Sequence, residues 1–86
     1  MSVNTKLLNI IIEEGVSGGF DDVHISKLAA EELEPEEWKA TLRQHSYEED
    51  REGWHAAQVQ LGSKYLEAIK KRRTELEQGG QDLIVG

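Results

Sequence analysis

The chain has 86 residues, no cysteine and a formal net charge of −7. A chain this short holds one domain at most, buries little more than ~60% of its unfolded surface, and has neither disulfides nor a thiolate metal site to compensate. The acidic balance disfavours direct nucleic-acid binding. No apolar run approaches the ~18 residues of a membrane span, and Met1 to Leu8 lack the order of a secretory signal, so a soluble cytoplasmic protein is expected.

Residues 4–14 place Leu7, Leu8, Ile11 and Ile12 on one helical face, with Asn4 or Thr5 in position to cap it. The run from Leu7 to Ile12 also suits a strand, because isoleucine is β-branched; helix is the preferred reading. Gly15, Gly18 and Gly19, with Ser17, Asp21 and Asp22, read as a loop. That loop lacks the lysine and hydroxyl of a phosphate cradle. A second helix runs from Asp22 or Ser26 to Glu34, with Ile25, Leu28, Ala29 and Leu33 apolar. Pro35 suits a first helical position. Glu36 and Glu37 follow where the helix dipole favours negative charge. Trp38, Leu42 and His45 then recur at i, i+4, i+7, so the third helix extends from Pro35 to about His45.

Ser46 to Gln78 reads as a single long helix. Ser46 and Glu49 have the spacing of a capping box, and Gly79-Gly80 offer a C-cap. Trp54, Ala57, Leu61, Tyr65 and Ala68 form one apolar row, and Val59, Leu66, Ile69 and Leu76 a second beside it. Gly62 weakens the centre by ~1 kcal/mol relative to alanine. About 32 helical residues at ~1.5 Å each span ~48 Å, whereas a compact domain of this size is only ~30 Å across. Leu66, Ile69 and Leu76 would then be exposed in a monomer. A homo-oligomer in which the helix pairs with its own copy is expected, in preference to a break at Gly62.

The fold class expected is all-α: a small helical bundle in which two short helices pack on a long antiparallel helical hairpin. Residues 1–78 form the single domain and 79–86 a flexible tail ending in Leu83-Ile84-Val85. Residues 31–52 hold nine acids against three bases, and residues 63–77 hold five bases against three acids. Across the hairpin, Glu34, Glu36 and Glu37 fall opposite Lys64 to Arg73, so part of this asymmetry is expected to be used internally. The run Lys70-Lys71-Arg72-Arg73 reads as cations near a helix C-terminus rather than a phosphate contact.

Two functional classes follow. Glu52 and His55 stand at i and i+3, the spacing of the ligand pair in carboxylate-bridged di-iron bundles. Glu49 lies one turn earlier, and Glu31, Glu32, Glu36, Glu37 and His45 are near in sequence. Such a ferritin-like metal-binding oligomer would hold iron or another divalent metal and would draw its second motif from a second subunit. The opposing reading is a solvated acidic face. Asp22, His24, Ser17 and Ser26 supply triad residue types, but local adjacency is not how triads are built; capping is the better role for Asp22 or Ser26. With no cofactor motif and no catalytic constellation, the leading expectation is a non-enzymatic, acidic protein-interaction module. It would act as an adaptor or inhibitor on another protein, through its acidic run in a basic groove or through Trp38, Trp54, Tyr65, Leu66, Ile69 and Leu76, residue types that anchor interfaces.

Overall fold

A computed structural model describes residues 4–85, with side chains for residues 4–78. All regular structure among these residues is helical: α1 Thr5–Ser17, α2 Asp22–Leu33, α3 Pro35–Leu42, α4 Arg51–Gly62, a 3-10 turn at Ser63–Tyr65, and α5 Leu66–Val85. No described helix is long and apolar enough to cross a membrane.

Each start has a local cause. Asn4 accepts a hydrogen bond from the Leu7 backbone N–H and opens α1. Leu8, Ile11 and Ile12 turn inward, so the 3.6-residue period prevails over the β-branched run. α1 continues past Gly15, because that glycine is buried against Ile25. The helix ends at Gly18, and Gly19 takes φ 81. The N–H groups of Phe20 and Gly19 return to the carbonyls of Gly15 and Val16, which closes the helix with a left-handed glycine. Asp21 accepts from the His24 N–H and opens α2.

α2 is the central element: α1, α3, α4, α5 and the 3-10 turn all pack against it. Ile12, Ile25, Ala29 and Ile69 have no exposed surface and form the centre of the core, with Leu8, Ile11, Ala30 and Tyr65 around them. The described chain measures 53 × 27 × 17 Å with a radius of gyration of 14.9 Å. It is therefore elongated relative to the ~12 Å of a compact chain of this length.

The long helix expected from Ser46 to Gln78 is not one helix. Ser46 Oγ does accept from the Glu49 N–H at 3.0 Å, but it caps only a turn. The carboxylate of Asp50 accepts from the Gly53 N–H and starts α4 at Arg51. α3 correspondingly ends at Leu42, not His45. The helix is interrupted directly after Gly62, where a Cβ would lie 2.6 Å from the Ser26 carbonyl oxygen. The lack of a side chain seats this backbone on α2. The tighter 3-10 turn then carries the chain from α4, which packs on α2 and α3, into α5, which packs on α1 and α2. Gly79-Gly80 do not end α5, which runs on to Val85. The side chains of Leu83, Ile84 and Val85, the apolar end of the tail expected to be flexible, lie outside the described residues.

This routing also corrects the exposure expected of the second apolar row. Ile69 is completely buried within its own chain, and Leu66 and Leu76 are half-buried. α5 packs on α1 and α2, which covers Ile69 within the chain and leaves Leu66 and Leu76 partly exposed.

Candidate functional site

The joint between α2 and α3 is a single residue, Glu34. Its N–H donates to Ala30 and closes α2, and its carbonyl accepts from Trp38 and opens α3. Its side chain does not cap α3. Instead the carboxylate accepts a hydrogen bond from the Tyr65 hydroxyl and an ion pair from Lys64 Nζ at 2.9 Å. The Tyr65 bond first, and then Lys64, hold the Glu34 carboxyl below the usual carboxylate range. Burial and the same carboxylate push the Tyr65 hydroxyl well up. The angle at which α3 leaves α2 is thus pinned to the 3-10 turn.

That angle opens two adjoining grooves. One, of about 430 Å³, is lined by Glu31, Pro35, Trp38, Lys39, Leu42 and Arg43. The other, of about 380 Å³, has His24, Lys27, Leu28 and Glu31 of α2 on one side, with Trp38 of α3 and His55 and Gln58 of α4 on the other. Glu31 and Trp38 belong to both. Trp38 is half-buried, with one part against the core and the rest forming the wall the grooves share. Positions 24, 27, 28, 31 and 35, 38, 39, 42, 43 each repeat at three and four, so each set is one helical face. No residue of α3 is buried, in contrast to four in α2.

The other candidate interaction residues are distributed differently. Tyr65 and Ile69 are core residues, 2% and 0% exposed, and cannot serve as a surface. Leu66 and Leu76 are half-buried on α5, away from the grooves. Trp54 packs edge-on against Tyr47 and His55, with ring centroids 4.8 and 5.1 Å away, and Arg51 lies over the Tyr47 face at 4.3 Å. Lys27, Lys39, Arg43 and Gln58 were not singled out from the sequence. The i, i+3, i+4, i+7 spacing of the α2 and α3 faces was the signal that could have found them.

The charge layout is partly as expected. Glu34 meets Lys64, but Arg72 pairs with Glu13 at 2.6 Å and Arg73 with Asp22 at 2.8 Å, on α1 and α2 rather than α3. At the α3–α4 turn, His45 Nδ1 lies 3.2 Å from Asp50. That contact, and then the Gly53 N–H, lower the Asp50 pKa.

The proposed metal set does not assemble. Glu49 lies in the turn before α4, Glu52 in its first turn, and the His55 ring stands against Trp54. Among the described residues no three His, Asp or Glu side chains gather where they could hold an ion. No protein-family model, curated protein or solved structure matches the chain.

Proposed function

We propose that this chain is a small acidic protein-interaction module, a non-catalytic adaptor or inhibitor that holds another protein along the α2–α3 face. The observation that carries the reading is the pair of adjoining grooves with Trp38 as their common wall. A tryptophan that is half-buried in a concave, partly apolar surface is the residue type and setting in which binding energy concentrates. In this reading α3 and α4 form an antiparallel helical hairpin and α2 completes the docking face.

A second surface supports the inhibitor form of the same reading. Glu32, Glu36, Glu37, Glu48, Glu49 and Glu52 are exposed, and none has a base within ion-pair distance among the described residues. Such a face suits the basic groove of a partner and governs encounter rate and partner choice more than affinity.

The test is capture from an extract of the native cell. Wild-type protein, Trp38→Ala, the exposed-site double variant Lys39→Glu/Arg43→Glu, Glu36→Lys/Glu37→Lys, and Trp54→Ala would each be immobilised after circular dichroism confirms folding. A partner retained by wild type and Trp54→Ala, and lost from the two groove variants, is the expected result. Loss only from the Glu36/Glu37 variant would move the contact to the acidic face. Identical capture by all five overturns the reading.

A further inference from the structure

We infer that the α2–α3 groove receives an acidic amphipathic helix of a partner protein, an inference that rests on the interaction reading above. Local charge reverses at this place. The chain carries −7 overall, yet the two grooves are lined by Lys27, Lys39 and Arg43 against the single acid Glu31. None of the three bases has an acid within ion-pair distance among the described residues. Elsewhere Lys64, Arg72 and Arg73 meet carboxylates, whereas Lys6, Arg51, Lys70 and Lys71 do not among the described residues. What sets the grooves apart is three bases lining one surface with a single acid.

Gln58 adds a neutral polar contact beside these charges. Its side chain lines the groove beside Trp38, the residue is only 8% exposed, and it makes no hydrogen bond with a described residue. Its amide is not a buried orphan: its atoms reach the water of the open groove, where a docked group can replace that water. A primary amide offers two donors and an acceptor, which suits a carboxylate or the polar edge of a docked helix.

The occupant's form follows from the shape. Both grooves are open to solvent along their length, so a compact small molecule would leave much of its surface in water, unlike a ligand in an enclosing pocket. A helix laid along the face covers both. Leu28, Trp38 and Leu42 would meet its apolar stripe, and Lys27, Lys39 and Arg43 the carboxylates flanking it. Glu32 and Glu36, one turn or less from the lining residues, offset part of this attraction, while the chain's remote acids are screened beyond ~8 Å at physiological salt.

Fluorescence anisotropy with labelled synthetic peptides on the full chain tests this. The probes share leucines at i, i+3, i+4 and i+7 and carry glutamate, glutamine or lysine at the flanking positions. The glutamate peptide should bind about ten-fold more tightly than the glutamine peptide, the step of one or two close charge pairs. Lys39→Glu/Arg43→Glu, both exposed sites, should abolish or invert that order, and Gln58→Ala should weaken the glutamate peptide while leaving the order intact. Equal binding of all three peptides, no binding of any, preference for lysine, or a preference that survives the Lys39/Arg43 change each overturns the inference. Trp38-dependent capture of a cellular protein alongside such a result would sink this inference alone. Loss of that capture sinks the reading beneath it.

Discussion

The two sides of α2 are packed in opposite ways. Toward the end of α4, the 3-10 turn and α5, small residues let backbones touch: buried Ser26 of α2 meets Gly62, and Ile25, Ala29, Ala30 and Ile69 are sealed in the core. Toward α3 the neighbours are one half-buried tryptophan and long polar side chains, and the surface stays open as grooves. Close approach of small residues forecloses a binding surface, because no space is left to fill. A bulky residue held on a short helix with no buried position leaves space on both of its sides. The first arrangement supplies stability and the second offers contact.

The largest effect should come from the closed side. Ile69→Ala removes a completely buried side chain and should cost about 4 kcal/mol in urea unfolding. Leu42→Ala, on the half-buried groove wall, should cost about 1 kcal/mol. Equal losses would mean that the two sides are not different in kind.

Gly62→Ala should follow, at about 3 kcal/mol, because the added Cβ meets the Ser26 carbonyl and backbone cannot step aside as a side chain can. The helix propensity of alanine argues for the opposite sign. A variant more stable than wild type would show that α4 and α2 do not touch here.

The joint between the two sides is sharpened by Tyr65→Phe, which removes the hydroxyl that donates to Glu34 and should cost about 1.5 kcal/mol. Its pH signature has a definite sign. Glu34 titrates lower in the folded chain than in the unfolded one. Its contribution is therefore full above about pH 5 and is lost as pH falls through the folded value. Lys64 and Tyr65 are raised. Their contributions are full below about pH 10 and are lost as pH rises further. Glu34→Gln should flatten the acid limb of a stability–pH curve measured by chemical denaturation. An unchanged acid limb would remove Glu34 from the joint.

The smallest effects belong to the open end. Asp50→Ala should lower the thermal midpoint by more than Ser46→Ala, since Asp50 caps α4 whereas Ser46 caps a turn. The reverse order would restore the helix start to Ser46.

Local chemistry was enough to write down the helical class, the cap at Asn4, Pro35 as a first helical residue, the loop at Gly18-Gly19, and the apolar faces of Leu8-Ile11-Ile12 and Ile25-Ala29, because those depend on neighbouring residues or on residues three or four apart. The pairing of Lys64 with Glu34 was also legible. The routing of the second half of the chain was not. A glycine in a helical pattern costs ~1 kcal/mol wherever it lies, and nothing in its neighbours says that Ser26, far away in sequence, will occupy the space its missing side chain leaves. That contact coincides with the passage from α4 through the 3-10 turn into α5, and Ile69 lies buried beyond it. Tertiary packing also decided which bases stay free. Arg72 and Arg73 found acids on α1 and α2, while Lys27, Lys39 and Arg43 were left around Trp38. Ion pairing depends on which faces meet, and the amino-acid order sets the faces without setting their partners.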